Sequence, residues 1–297
     1  MQNHASTLAA EFKLDAARVA ATVALIDEGN TIPFIARYRK EATGSMDDQT
    51  LRALDERLSY LRKLDDQKET VHNSITEQGA MTPEIAAALE KAKTLAEVED
   101  IYRPYKPKRK TRASIARARG LEPLAARLLE QRPEDEPALL ARQYITEEVP
   151  DTEAALAGAR DILAEGFSDS ANLRATLRSL YNATALVESK AAKKDTDSVY
   201  SGYYDYSEPA AKMAGHRILA VDRGEREGFL KVSVTVDAAR AVRLLTERTV
   251  KNDSPSAEQV RAAAEDAYVR LIHPSLEREV RAGLTERACE GAISVFS

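Results

Sequence analysis

Leu51, Leu54, Leu58, Leu61 and Leu64 recur at steps of three and four residues. That spacing puts all five on one side of an α-helix and on no single face of a β-strand. A stripe so long and so apolar has to be covered by other helices, which commits the chain early to helix-on-helix packing. The available side chains agree with this. Tryptophan is absent, aromatics are 5% of 297 residues and charged groups 31%, so the core must be mostly aliphatic. Cys289 is the lone cysteine, which excludes an intrachain disulfide and a cysteine-based zinc site. The opening residues MQNHASTLAAEF lack the basic flank and apolar stretch of a signal peptide, and no apolar run approaches the ~20 residues that cross a bilayer. A soluble, cytoplasmic protein without membrane contact is the expectation.

Helix punctuation is frequent. Asp15 is placed to cap a helix carrying Val19, Val23 and Ile26 that stops at Gly29. In "TIPFIARYRKEATG" (31–44), Pro33 suits a first helical turn and Gly44 an exit. Ser45 with Asp48 resembles a capping box for the leucine-striped helix. Three helices in the first eighty residues fit a helix-turn-helix-like start. Thr82-Pro83-Glu84 opens another helix, and Thr94 with Glu97 reopens one that Pro104 ends. Gly120 closes a short helix before "LEPLAARLLEQ". Helices are then predicted over about 137–145, 152–166 and 169–191, the last carrying Leu173, Leu177, Leu180 and Leu186.

"KKDTDSVYSGYYDYSEP" (193–209) breaks that pattern with turn formers and four tyrosines. It marks a boundary or a long ordered loop, with tyrosine hydroxyls expected to tie down backbone groups. Beyond it, "FLKVSVTV" (229–236) alternates as a strand does, and "HRILAVD" (216–222) suits either its hairpin partner or a short helix. "DRGEREG" (222–228) offers Gly224 and Gly228 for tight turns. Helices over about 238–249 and 255–272 lead to a helical, apolar ending without a C-cap glycine. The fold class is therefore mainly α: an elongated multi-helix domain over 1–195 and a smaller α+β region over 196–297 with a short strand or hairpin.

Catalytic motifs are missing. The chain has no Walker loop, dinucleotide glycine signature, G-x-S-x-G or H-E-x-x-H. His4, His72, His216 and His273 are spread too widely to suggest a metal cluster. Glu97, Glu99 and Asp100 offer oxygen ligands of the kind Mg²⁺ takes, but acids in a first helical turn also favour its dipole, which is the stronger reading. No enzyme activity, cofactor or metal is predicted.

The strongest functional signal is "EDIYRPYKPKRKTRASIARARG" (99–120). It places eight Lys or Arg residues from Arg103 to Arg119 with no acid among them, in a chain of net charge −5. Pro104 and Pro107 hold the backbone extended, so the cations and tyrosines are splayed. Cations at this spacing neutralise phosphates, and tyrosine stacks on unpaired bases. The candidate contacts are Arg103, Tyr105, Lys106, Lys108, Arg109, Lys110, Arg112, Arg117 and Arg119. Arg37, Arg39 and Lys40, around Tyr38, form a second cluster. Two other readings stand beside this one: a protein-docking surface, and a solvated loop whose arginines pair with acids on neighbouring helices.

Five stretches together resemble one family, the bacterial Tex transcription accessory proteins. They are "TIPFIARYRKEATG" (31–44), "EDIYRPYKPKRKTRASIARARGLEPLA" (99–125), "YSGYYDY" (200–206), "HRILAVDRGEREGFLKV" (216–232) and "HPSLEREVRAGLTERACEGAISVF" (273–296). The resemblance implies an elongated, mainly helical protein that binds nucleic acid and acts in transcription; with phosphate contacts that do not read bases, the expected partners are RNA or DNA without sequence specificity, and RNA polymerase or other transcription machinery for a docking surface. It also implies that longer members continue into a YqgF-type RNase H-like domain, helix-hairpin-helix modules and an OB-fold RNA-binding domain. This chain would then be an amino-terminal piece. At Gly215 the family pattern has a capping serine, a departure that costs a few tenths of a kcal/mol. The resemblance carries no catalytic residue to this chain.

Overall fold

Short helices gathered around one long helix form the first of two units. The computed structural model describes residues 4–107, 110–192 and 198–295. Its packing divides after Tyr102 into a first unit ending there and a second running from Arg103 to Val295. The first contains α1 (His4–Phe12), α2 (Ala16–Asp27), α3 (Ile32–Tyr38), α4 (Lys40–Thr43), α5 (Asp48–Glu77), α6 (Pro83–Lys91) and α7 (Leu95–Tyr102). Asp15 caps α2 by accepting from the Arg18 N–H at 3.0 Å, and Gly29 leaves it at φ 83°. All five leucines of the α5 stripe are buried; Leu54, Leu58 and Leu61 pack with Leu8 and Val19. The start of α5 differs from expectation. Asp47, not Ser45, caps it, accepting from the Thr50 N–H at 2.7 Å, while Ser45 stands outside the helix at φ 60°. Thr94 and Glu97 do form the reciprocal cap of α7, each side chain accepting the other's N–H at 3.2 Å.

The second unit begins with α8 (Arg112–Ala118), α9 (Glu122–Glu130), α10 (Pro137–Arg142), α11 (Thr152–Asp169) and α12 (Ala171–Thr184). It continues with β1 (Leu186–Ala191), β2 (Asp205–Pro209), α13 (Gly215–Arg226), β3 (Leu230–Thr235), α14 (Ala238–Thr249), α15 (Ala257–Asp266) and α16 (His273–Val295). Helix α11 is central, touching α8, α9, α10, α12 and α15. Gly158 sets how close α8 comes. A Cβ there would collide with Leu121 Cδ1 and lie 3.3 Å from Ala116 Cβ.

The helix predicted through 191 ends at Thr184, and Ala185 turns extended. Residues 186–191 form the middle strand of an antiparallel sheet of order β2-β1-β3, with Val187 opposite both Glu208 and Val234. The strand's partners lie far along the chain, so local leucine spacing does not reveal them. The domain break expected at 195 thus falls between β1 and β2, inside the second unit. "HRILAVD" is helical, within α13. Gly224 is not a turn residue but part of α13, where a Cβ would lie 2.6 Å from Leu230 Cδ1; Gly228, at φ 79°, is the turn. Gly215 is the first residue of α13, and the cap position belongs to Ala214.

Helix α16 locks this sheet in place. Along the outer edge of β3, the Val232 N–H donates to Glu225 Oε1 at 3.3 Å and the Val234 N–H to Glu277 Oε1 at 2.9 Å. Arg281 Nη1 donates to the Val232 carbonyl at 3.3 Å, and its Nη2 meets Asp222 at 3.1 Å and Glu225 at 2.5 Å. Burial opposes the Arg281 charge, yet these carboxylates hold the guanidinium above its ordinary range. Between α15 and α16, Ala267–Ile272 forms a π turn. Pro274 follows it and has no N–H to return to the preceding turn, a common cause of such widening. There Tyr181 OH lies 2.5 Å from His273 Nδ1 and 3.3 Å from Tyr268 OH.

The tyrosine-rich segment ties its hydroxyls to side chains, not to backbone as expected. Tyr200 donates to Glu227, Tyr206 to Glu208, and Tyr204 pairs with Ser198. Burial, then the Glu208 hydrogen bond, pushes the Tyr206 hydroxyl up to about 12, and burial likewise raises Tyr181. These groups hold protons in the folded chain that the unfolded chain releases near pH 10. Their stabilisation is complete below pH 10 and declines above it, by up to about 1.4 kcal/mol per pH unit for each tyrosine. Urea titrations from pH 9 upward are expected to show that decline through about pH 12, with a shallower slope in Tyr206→Phe.

Candidate nucleic-acid interface

The two basic clusters of the sequence lie in different units, and each has its own geometry. In the second unit, Pro104 and the turn residues around it carry Arg103 and Tyr105 half-buried and Lys106 exposed. Lys110, Arg112 and Arg119 are also exposed. Lys108 and Arg109 lie outside the described residues.

The later part of the run meets acids. Arg117 Nη1 donates to Glu165 Oε1 at 2.7 Å, and its Nε lies 3.4 Å from Glu122. Burial works against the Arg117 charge, but Glu165 and Glu122 keep the guanidinium above its ordinary range. Thr111, the N-cap of α8, donates to the other oxygen of Glu165 at 2.9 Å. Glu165 is itself buried on α11, so these bonds fasten α8 to the central helix. Arg119 lies 3.8 Å from Glu148 in an exposed pair of the kind worth about 0–1 kcal/mol. The charge of Arg112 acts on Asp161, whose carboxyl burial nevertheless holds above the usual range. The end of the run, Arg117 and Arg119, therefore matches the reading in which arginines pair with neighbouring acids.

The backbone at 103–106 turns and is not extended as expected, and an open cavity of about 550 Å³ lies beside it, lined by Pro104, Lys106, Arg117, Glu165 and Asp169. Two acids among its walls make it a poor phosphate groove. A second, also about 550 Å³, has Leu129, Phe167 and Leu173 beside Arg248 and Lys251, with no acid in its lining. Neither cation stands out in the sequence, because α9, α11, α12 and α14 bring the groove together from distant positions.

The first unit presents a different surface. Helix α3 turns Ile35 inward, fully buried, and its other side outward. Arg37, Arg39 and Lys40 are exposed, and none of the three is in an ion pair among the described residues. Tyr38 is 61% exposed and Phe34 36%, with ring centroids 5.2 Å apart. The Arg39 guanidinium lies over the Phe34 ring at 5.5 Å. Phe34 is the residue that sequence reasoning missed; its signal is the four-residue step to Tyr38 across an inward-facing Ile35. Among the described residues no group of three or more His, Cys, Asp or Glu side chains is arranged to hold a metal ion, and Glu97, Glu99 and Asp100 make no such group. No described helix is long and apolar enough to cross a membrane.

Residues 132–296 match the family described as Tex central region-like, and residues 2–76 match the Tex-like protein N-terminal domain. Protein tex of Bordetella pertussis is 47% identical over 235 residues, which cover 78% of this chain and 30% of that protein. Transcriptional accessory protein Tex of Neisseria gonorrhoeae is 41% identical over 306 residues, covering 98% of this chain and 39% of its own length. S1 RNA-binding domain-containing protein 1 of Homo sapiens is 30% identical over 297 residues, covering 92% and 29%. The chain spans about two fifths of the length of the curated bacterial relatives it matches end to end. With more than half of its residues inside the central-region match and its first helices inside the N-terminal one, the chain belongs to the Tex family.

Proposed function

We propose that this chain is a non-enzymatic helical platform of a cytoplasmic transcription accessory protein, contacting RNA or DNA through phosphates without reading sequence. The observation that carries the reading is the set of exposed cations Arg37, Arg39 and Lys40, outside any ion pair among the described residues. Lys110 and Arg112 add exposed charge in the second unit. Cations that are not already neutralised release counterions when they meet a phosphate backbone, and that release is the main source of non-specific affinity. The names of two relatives, one a transcriptional accessory protein and one an S1 RNA-binding domain protein, support the same direction. A docking role on other protein surfaces is the second reading, favoured by the Arg117–Glu165–Thr111 network, which spends part of the basic run on packing.

Fluorescence-anisotropy titrations with a single-stranded RNA and a duplex DNA at two salt concentrations test the proposal. Arg37→Glu/Arg39→Glu/Lys40→Glu is compared with Lys106→Glu/Lys110→Glu/Arg112→Glu. Affinity that falls steeply with salt, and falls about tenfold or more in at least one variant, is the expected result. Absence of binding by the folded, unmodified chain refutes it and leaves the docking role.

A further inference from the structure

We infer that the outward side of α3 is a binding site for single-stranded nucleic acid, in which Phe34 and Tyr38 stack on unpaired bases while Arg37, Arg39 and Lys40 hold the adjoining phosphates. The inference rests on the nucleic-acid reading above and names its strand class and seat. Phosphate contact alone needs only charge, and a helix that served only packing would not leave two rings in water. Here Phe34 and Tyr38 stand one helical turn apart, both exposed, at 36% and 61%, and in contact with each other. Among the described residues Leu139, Ile145, Leu186, Val199 and Val269 are the other large exposed apolar side chains, and they supply no aromatic face.

The chemistry of the surroundings selects the occupant. A purely apolar partner would leave Arg37, Arg39 and Lys40 desolvated and uncompensated at its margin, which is costly. A partner that alternates anionic links with flat π-faces satisfies both kinds of group at once, and a single strand has that alternation. In a duplex the bases are stacked on each other and withheld from the rings. The ring planes are tilted by 46°, so the two faces suit successive bases that diverge, as they do when a strand is splayed. Arg39 already lies over Phe34 at 5.5 Å, too close to admit a base between them, so a base takes that ring face as the guanidinium swings off it to a phosphate. Glu41 is the acid nearest in sequence to these cations, exposed on α4, and it faces solvent without an ion pair among the described residues.

The test uses the whole chain and three probes: a labelled oligouridylate, an abasic oligomer of equal length, and a matched duplex. Tyr38→Ala and Phe34→Ala are each expected to weaken oligouridylate binding about tenfold and to leave binding of the abasic oligomer unchanged. Tyr38→Phe should restore affinity, because stacking needs the ring and not the hydroxyl. Arg37→Gln/Arg39→Gln/Lys40→Gln should weaken both oligomers and flatten the log–log salt slope by about 2. Equal affinity of the ring variants for oligouridylate, with the charge variant impaired, overturns the stacking site and leaves phosphate contact standing. Binding to none of the probes overturns both. Circular dichroism of each variant separates these outcomes from misfolding.

Discussion

Arg281→Met is expected to destabilise the second unit by about 3 kcal/mol, lowering its thermal midpoint by roughly 6–12 °C. The guanidinium is about one-quarter exposed, so the figure is set below that of a fully buried pair. What makes it large is the company it keeps. Asp222 is 14% exposed, Glu225 lies 2.5 Å away, and both would be left facing each other without a cation between them. The Val232 carbonyl would also lose a donor. Removing the acids as well, in Arg281→Met/Asp222→Asn/Glu225→Gln, is expected to recover most of the loss, since the cost lies in uncompensated charge more than in a lost attraction. Urea and thermal unfolding of the two variants measure this. A single-variant loss below about 0.5 kcal/mol would mean the cluster is an ordinary surface arrangement.

The second large effect is expected at Gly158. Valine there drives a branched side chain into Leu121 and Ala116, both buried, where α8 and α9 meet α11. Overpacking of this kind costs about 1–3 kcal/mol. Because α8 has only seven residues and leans on α11, the strain should appear locally before it appears globally. Amide exchange in 112–118 is expected to accelerate, and the Arg117 and Thr111 bonds to Glu165 to be lost. Gly166→Ala is the control: it lies on the same helix with nothing within 4 Å of an added Cβ, and is expected to be neutral or stabilising by up to about 1 kcal/mol. If both substitutions behave alike, close approach at Gly158 is not what positions α8.

Local chemistry was legible in the sequence at several helix starts, although Asp47 took the cap expected of Ser45. Asp15, Thr82 and the Thr94–Glu97 pair cap their helices because a cap needs only its own three or four neighbours. The α5 stripe is buried because a helical face is a local property. Leu186–Ala191 failed for the opposite reason. "LVESKA" contains good helix formers, and it is extended because β2 and β3, one of them forty residues on, complete its backbone pairing. The basic run was visible as charge, but its disposition was not. Glu165, which engages Arg117 and Thr111, comes from a helix some fifty residues later. The α3 surface was half visible: its cations stood out, whereas the exposure of Phe34 depends on Ile35 taking the inward side.

The outer edge of β3 has a consequence for how copies of this chain meet. An uncovered strand edge is a template on which another molecule's strand can pair, and repetition of that step builds aggregates. Here the outward N–H groups of Val232 and Val234 are already taken by Glu225 and Glu277, and the Val232 carbonyl by Arg281. An arriving strand would find carboxylates and a guanidinium in place of free backbone partners. Strand exchange through this side is therefore closed by the same residues that anchor α16. Loss of Arg281 would loosen the unit and uncover part of a template for self-association in one step.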